Sequence, residues 1–378
     1  MSEKLLADFI EKYKSFTIIP ETSLDSLLCA GILFKKLVEH GFNVKLSIDS
    51  KILIDYPEDP ALTIGLPTVN KDKQLAILPG EDENSSITGL IVMKLDKLVG
   101  VDKWDKLVAI IAGLYRGFYD FKSGGFKGVE NIFLKDLINE KTLTEVAGLR
   151  LWGSRRLNLA TALSRTLMPF IPGITGNIDK SLKIVSEVFK TTDPLSIKQK
   201  ELKMNEAKDS ILLFLKTLTE TTKDPQLAFK LLGDFYINLP EQSVLGEIEA
   251  NELMGSLVVL ESICRECPTY IPISIIEKTI LLQSIAVYDE VIDDLSRQLS
   301  SQVDKARKGE PIEGGKLIKR PDIVVDVLHY INALPRDRVV KVTGDQGTFT
   351  VLRELIRVGV KPEEAYSQCE DDQLCPVK

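Results

Sequence analysis

The acids that follow predicted strands are the side chains of this sequence best placed for metal-dependent chemistry. Asp25 follows the strand in "IIPETSLDS", and Glu81 and Asp82 follow the strand in "AILPGED". Loops at the carboxyl ends of parallel strands are where α/β proteins bind ligands and metals, and a pair of divalent cations needs several charged oxygen ligands. We place Asp25 alone on the buried side of its loop, so the sequence predicts too few carboxylates for such a site.

Two interpretations of Asp25 follow from its position. The favoured one is structural, because Asp25 opens a helix, where a carboxylate caps or stabilises the free backbone N–H groups. The alternative is a metal-dependent single-strand exonuclease with unusual ligands, in which Asp25, Glu81, Asp82 and Asp120 converge. The sequence favours the first interpretation, and it predicts no catalytic residue, no metal and no cofactor.

Histidine and nucleophile motifs give little support to other catalytic chemistry. The chain has two histidines, His40 and His329, and neither has an obvious acid partner in the sequence. Histidine is the side chain that most often acts as a general base. The sequence also contains no Gly-x-Ser-x-Gly motif and no Walker-type phosphate loop. These features leave few routes to hydrolysis.

Four of the five cysteines form two pairs that are close in sequence. Cys264 and Cys267 make a C-x-x-C at the end of an apolar helical segment, and Cys369 and Cys375 lie in an acidic tail that is predicted to be flexible. An odd cysteine count argues against an obligatory disulfide framework, and the second spacing is poor for zinc. We expect free thiols at Cys264 and Cys267. Cys369 and Cys375 are a candidate disulfide pair if the source organism is a hyperthermophile.

A run of arginines around a tryptophan is the candidate nucleic-acid-binding segment. It lies in "LRLWGSRRLNLATALSRT" and comprises Arg150, Trp152, Arg155, Arg156 and Arg165. Arginine pairs with phosphates and an aromatic ring stacks on bases, so such a run can hold a single strand. A solvated helix face with Trp152 packed inward explains the same pattern. Both interpretations stay open from the sequence.

The composition is that of a soluble globular protein. Of the 378 residues, 44% are hydrophobic and 27% are charged, and this length suggests two or three domains. No apolar run approaches the roughly 18 residues of a membrane helix, and the first residues lack signal-peptide features. The net charge of −7 is opposite to that of proteins held to nucleic acid by charge. We therefore expect a cytoplasmic protein that does not bind membranes.

Strand and helix patterns alternate through the first third of the chain, which predicts a mainly parallel sheet. A helix is predicted at about 24–39, and 126–165 is also predicted to be helical. Strands are predicted at 16–19, 43–49, 51–57, 61–67 and 74–80. Three segments follow from the whole pattern: an α/β domain at 1–176, a helical connector at 177–250, and a second, smaller α/β domain at 251–378 with an acidic tail.

The order of several short segments resembles the DHH phosphoesterase superfamily, to which the single-strand exonuclease RecJ belongs. "SLDSLLCAGILFKKLVEHGFNVKLSI" is similar to the first family motif, with Ser23 and Asp25 in the Asp-x-Asp-Gly position. "PGE", which ends in Glu81, stands in place of Asp-His-His, and Leu114 stands in place of an aspartate. "ALSRTLMPFIPGITGN" and "EANELMGSLVVLESICRECP" resemble segments of the archaeal RecJ-like branch.

The departures from the family pattern resemble those of its inactive members. The Gly-Gly-His loop of the family's C-terminal domain does not occur in this sequence. The pattern is similar to inactive archaeal RecJ-like proteins, counterparts of the Cdc subunit of the CMG (Cdc–MCM–GINS) replicative helicase. The resemblance implies a degenerate DHH-like domain, a DHHA1-like C-terminal domain, and a vestigial metal site near Ser23, Asp25, Glu81 and Leu114.

The same resemblance implies a function and a set of partners. It implies a non-catalytic, nucleoid-associated DNA replication factor that binds GINS and, through GINS, helps to assemble or activate the MCM helicase. A single-stranded DNA binder without chemistry, resting on the arginine run, is a further alternative to the exonuclease described above.

Overall fold

The computed structural model describes residues 3–80, 83–120, 123–202, 204–238 and 248–377. The α-helices are α1 Glu3–Lys12, α2 Leu24–Glu39, α3 Ile52–Asp55, α4 Ile87–Leu98, α5 Lys103–Tyr115, α6 Glu130–Asn139, α7 Leu159–Arg165, α8 Ile178–Phe189, α9 Met204–Thr222, α10 Leu227–Leu231, α11 Ala250–Ile263, α12 Cys267–Ile276, α13 Lys278–Arg307, α14 Asp322–Tyr330, α15 Leu352–Arg357 and α16 Pro362–Gln368. The strands are β1 Ser15–Pro20, β2 Asn43–Leu46, β3 Ala61–Ile64, β4 Gln74–Ile77, β5 Tyr119–Asp120, β6 Gly125–Phe126, β7 Leu143–Leu149, β8 Leu232–Asn238, β9 Ile248–Glu249, β10 Ile312–Glu313, β11 Val342–Gly344, β12 Gly347–Val351 and β13 Leu374–Pro376.

The N-terminal sheet is parallel, as the sequence predicts. Its strand order is β2-β1-β3-β4, and each neighbouring pair runs in the same direction. Strand β1 pairs with β2 on one side and with β3 on the other, and Phe16, Ile18 and Ile19 supply its buried apolar side chains. Ile18 and Ile19 are fully buried. The predicted α/β class is therefore confirmed.

Helix α2 follows β1 and illustrates how local sequence sets an element. The Ser23 hydroxyl accepts a hydrogen bond from the Ser26 N–H, so Ser23 is the N-cap that such helices require. The helix ends before Gly41, which takes a positive φ of 81° that a glycine adopts without strain. Its two termini lie where the sequence predicts them. Its first ten residues are all buried, so α2 crosses the centre of the molecule.

Three further sheets lie in the described part of the chain, and in the smallest of them β5 pairs antiparallel with β6. Strands β7, β8 and β9 form an antiparallel sheet, and β10, β11, β12 and β13 form a mixed sheet near the C-terminus. Helices α7 to α10 pack around a separate core drawn from residues between 149 and 232. The predicted domain boundaries at 176 and 250 stay predictions.

The N-terminal sheet and the C-terminal helices share one hydrophobic core. It joins residues of the first helices, such as Leu28, to residues of α11, α12 and α14, such as Val258, Ile271 and Leu328. Helices α2 and α12 touch at Gly31, where an added Cβ would lie 2.8 Å from the Pro272 carbonyl oxygen. Gly31 therefore lets α2 and α12 pack with their backbones close together.

Four predicted features differ from the structure. Residues 51–57 are not a strand, because 52–55 form the short helix α3. The segment 126–165 is not helical throughout, because β7 interrupts it and pairs along its whole length with β8. The acidic tail is ordered as α16 and β13. Cys264 and Cys267 are not free thiols but a disulfide, and Cys369 is bonded to Cys375.

None of the helices that the structure describes combines the length and the apolarity that a bilayer crossing requires.

Candidate functional site

The strand order defines where a ligand crevice would lie. In an open parallel sheet the crevice opens at the carboxyl ends of the two strands where the connection direction reverses, which here are β1 and β3. Glu21 follows β1 directly, and its N–H donates to the Ile64 carbonyl oxygen at 2.8 Å. Gly65 follows β3. Glu21 therefore occupies the crevice position, although it was not among the residues predicted for the site.

The Glu21 carboxylate is held by two serine hydroxyls. It accepts hydrogen bonds from Ser23 at 2.7 Å and from Ser26 at 3.3 Å. A Cβ added to Gly65 would lie 2.6 Å from Glu21 Cγ, so the glycine makes room for this side chain. Burial raises the pKa of Glu21, against the opposing charge of Arg353. The signal for Glu21 in the sequence is its place immediately after the apolar run of β1.

Asp25 is a helix-capping residue, in agreement with the favoured interpretation, but it caps a neighbouring helix. Its Oδ2 accepts from the Ile87 N–H at 3.0 Å, and its Oδ1 accepts from the Thr88 N–H at 3.0 Å and the Thr88 hydroxyl at 2.8 Å. These donors belong to the first turn of α4. Burial raises the pKa of Asp25, while Arg116, whose Nε lies 4.0 Å from Oδ2, opposes the rise. Both carboxylate oxygens are thus engaged in structural bonds.

The other residues of the predicted vestigial site lie in different environments or outside the described residues. The Ser23 hydroxyl is engaged with Glu21 and the Ser26 N–H. Leu114 is 2% exposed and belongs to the hydrophobic core. Glu81 and Asp82 lie outside the described residues. Within the described ranges, no cluster of three histidine, cysteine or acidic side chains has an arrangement that could hold a metal ion.

The C-terminal part of the chain covers the carboxyl edge of the parallel sheet. The Thr22 hydroxyl, just after β1, donates to Asp322 Oδ1 at 2.7 Å. The Gln373 amide donates at 2.7 Å to the carbonyl oxygens of both Pro20 and Ile48, and the Tyr366 hydroxyl donates to the Pro67 carbonyl oxygen. The ends of β1, β2 and β3 are therefore all bonded to residues beyond 321.

A buried ionic network lies behind this cover. Arg353 pairs with Asp326 at 2.6 Å and with Asp322 at 3.4 Å, and Asp322 also pairs with Arg320 at 2.9 Å. The Tyr115 hydroxyl donates to Asp326 at 2.7 Å. Burial lowers the pKa of Arg353, but Asp326 and other acids more than offset this, so its pKa is raised. Glu261, buried beside Asp326, has a strongly raised pKa, first from burial and then from Asp326.

Such a network fixes the relative position of the elements that it joins. A buried charge is costly unless it is paired, so the halves of the network must remain together. Two features of the sequence could have indicated this network. Asp322 and Asp326 have the i, i+4 spacing that places them on one face of α14, and Arg353 follows further along the chain. These residues were not predictable as a site, because nothing local in the sequence indicates that Arg353 reaches Asp322 and Asp326.

The arginine run is largely engaged inside the molecule. Trp152 is fully buried, and a Cβ added to Gly255 would lie 2.6 Å from its ring. Arg156 pairs with Glu252 and Asp289, and Arg165 pairs with Asp289 and Asp293. The structure thus agrees with the inward-packing interpretation for Trp152. Nucleic-acid binding by this run stays a prediction.

The two remaining arginines of the run have different environments. The Arg155 N–H donates to Glu249 Oε1 at 2.5 Å. Arg150 is 6% exposed, and its guanidinium lies 3.9 Å from the centre of the Tyr119 ring. Asp120, which the exonuclease alternative requires, lies in β5 and lines the same cavity as Arg116 and Arg150. That cavity lies beside the capped carboxylate of Asp25.

Comparison with known proteins identifies the fold. The chain has a DHH/RecJ-like α/β fold, built on the parallel β2-β1-β3-β4 sheet. Among solved structures, the crystal structure of CDC45 from Entamoeba histolytica superposes with a TM-score of 0.59, over 97% of this chain and 89% of that chain, at 10% sequence identity. No protein-family model and no curated protein matches the sequence. The predicted fold is therefore confirmed, and it is CDC45-like.

Proposed function

We propose that this protein is a non-catalytic DNA replication factor that binds GINS and helps to assemble or activate the MCM helicase. Three things support the proposal: the CDC45-like fold, the resemblance to inactive archaeal RecJ-like proteins, and the geometry at the sheet edge. A fold alone does not determine a function, so the side chains at the sheet edge decide whether the protein is catalytic.

The observation that carries the non-catalytic part is the use of the Asp25 carboxylate. Its two oxygens accept three hydrogen bonds from Ile87 and Thr88, and Leu114 occupies a position where the family resemblance places an acid. A cation at this edge would have to remove the cap of α4 and would find few charged oxygens in return. The surrounding crevice is filled by Glu21 and closed by Thr22, Asp322 and Gln373.

The partner part of the proposal is tested by co-purification. Recombinant protein and GINS from the same organism are mixed at micromolar concentration and separated by size-exclusion chromatography with light scattering. We expect a complex, and we expect that adding MCM increases its mass further. Migration of all three components as separate species would overturn the proposal.

An Asp25→Asn variant separates partner binding from the old site. Because we place GINS contacts outside the capped crevice, this variant should bind GINS as the unaltered protein does. A folded Asp25→Asn protein that loses GINS would show that the crevice itself is the docking surface.

A further inference from the structure

A basic cavity lies beside the closed crevice. Its volume is about 570 Å³, and it opens between the end of α5, the β6 region, α10 and the end of α14. Four cations line it: Arg116, Lys127, Arg150 and Lys230. Asp120 is the one acid among the described residues of its wall. The cavity therefore has the electrostatic character of an anion site on a chain whose net charge is negative.

Arg150 gives the cavity a specific recognition group. The residue is 6% exposed, and its Nε has no hydrogen-bond partner among the described residues. Arg156 and Arg165, by contrast, are paired with acids of α11 and α13. A buried guanidinium without a carboxylate partner is costly. An anion in the cavity would compensate the charge of this guanidinium, and a phosphate matches the fork geometry of arginine.

Aromatic rings in the cavity wall indicate that the anion is part of a larger molecule with an aromatic base. Tyr119, Phe229 and Tyr330 line the same cavity. Phe229 is 50% exposed. Rings beside cations are the combination that binds bases and phosphates together. The volume falls within the range of about 300–1,000 Å³ typical of small-ligand sites, which suits one or two nucleotides better than a long strand.

We propose that this cavity binds a nucleoside phosphate, with its phosphate among Arg150, Lys127 and Lys230 and its base against an aromatic ring. The phosphate belongs either to a free nucleotide or to the 5′ end of a single strand. No bond is made or broken, and the ligand is retained intact. The inference rests on the cavity residues alone and does not require binding to GINS.

The test is calorimetric titration of the full chain with AMP, adenosine and inorganic phosphate. We expect AMP to bind more tightly than phosphate and adenosine to show no binding. The double variant Lys127→Ala/Lys230→Ala should weaken AMP binding at least tenfold. The matched control is Lys183→Ala/Lys216→Ala, two lysines with side chains that are 74% and 69% exposed, and it should bind AMP as the unaltered chain does.

Arg150→Gln is the second variant, and thermal unfolding checks that it folds. A folded Arg150→Gln protein should also lose at least tenfold in AMP affinity. Titrations with oligothymidylates that carry a 5′ phosphate or a 5′ hydroxyl then show whether the bound phosphate belongs to a free nucleotide or to a strand end. Tighter binding of the phosphorylated strand than of AMP assigns a strand end, and equal or weaker binding assigns a free nucleotide. Absence of AMP binding, or equal affinity in the lysine double variant, would overturn the inference.

Discussion

Asp25 joins two helices through a single carboxylate. It lies in the first turn of α2 and accepts the free N–H groups of α4. Its position in the sequence predicted a capping role, but the identity of the capped helix was not predictable. The bond spans more than 60 residues of chain, and only the folded sheet brings Ile87 and Thr88 to it.

Removing this carboxylate should destabilise the protein. We expect Asp25→Ala to lower the free energy of unfolding by about 2–3 kcal/mol, because buried N–H groups lose a charged acceptor. Asp25→Asn should have an intermediate effect, since one oxygen remains for Thr88. Urea denaturation measures both. The matched control is Asp179→Ala, an exposed first-turn acid of α8, which should change stability by less than about 0.5 kcal/mol. A similar loss in both alanine variants would contradict the capping role.

Glu249 provides a pH-dependent prediction. It is fully buried, and its Oε1 accepts from the Ser154 hydroxyl at 2.8 Å. Burial, with Glu252 nearby, raises the pKa of Glu249 from 4.5 to about 8. Between pH 4.5 and about 8, Glu249 is therefore protonated in the folded state and ionised in the unfolded state. Its contribution to stability is complete below pH 4.5 and decreases as the pH rises through about 8.

The variant Glu249→Gln isolates this proton. Glutamine is neutral at every pH and keeps an oxygen acceptor for Ser154. Relative to the variant, the unaltered protein should lose about 1.4 kcal/mol of unfolding free energy per pH unit between pH 5 and pH 8. Urea denaturation at several pH values measures the difference. A difference that is independent of pH would show that Glu249 is ionised in the folded protein.

At the element scale, two disulfide loops meet through one ion-pair cluster. Arg265 lies inside the loop closed by Cys264 and Cys267. It pairs with Glu370 and Asp372, which lie inside the loop closed by Cys369 and Cys375. Arg265 therefore ties the end of α11 to the tail that carries Gln373. Because Gln373 bonds to the ends of β1 and β2, the cluster helps to hold the cover on the sheet edge.

Loss of Arg265 should loosen this cover. We expect Arg265→Gln to increase hydrogen exchange at the amides of Leu374 and Cys375 in β13 at least tenfold, because the tail loses its charged partner. Disulfide reduction should add to the effect. Hydrogen exchange with mass spectrometry measures it, and Arg297→Gln, whose side chain is 67% exposed and paired with Asp294, is the control. Unchanged exchange in β13 would show that the disulfides alone hold the tail.

The elements that sequence predicted well are those whose signals are local. Helix α2 has a serine cap and a glycine stop, so its bounds were predictable. Strand β7 was missed because "LTEVAGL" has weak strand propensity on its own, and long-range pairing with β8 determines its conformation. The acidic tail was predicted to be flexible, and its order depends on the long-range contacts of Arg265 and Gln373. The Cys264–Cys267 disulfide was missed because spacing does not decide oxidation state.

At the scale of the whole molecule, the C-terminal part covers the edge where this fold class binds ligands. The cover depends on contacts between residues 300 or more positions apart, such as Thr22 with Asp322 and Gln373 with Pro20. The sequence predicts few acids at this edge, and this stays a prediction because Glu81 and Asp82 lie outside the described residues. The filling of the crevice by Glu21 and the closure by the C-terminal residues were not predictable from the sequence, because both depend on how distant segments pack.

We propose that the sheet edge is structural and does not hold a catalytic metal. The most direct measurement is a manganese titration of the full-length chain with end-labelled single-stranded DNA, with Asp25→Asn assayed in parallel. We predict that no cleavage product appears at any manganese concentration and that calorimetry detects no saturable manganese binding. Manganese-dependent cleavage by the unaltered protein that disappears in a folded Asp25→Asn variant would contradict the claim.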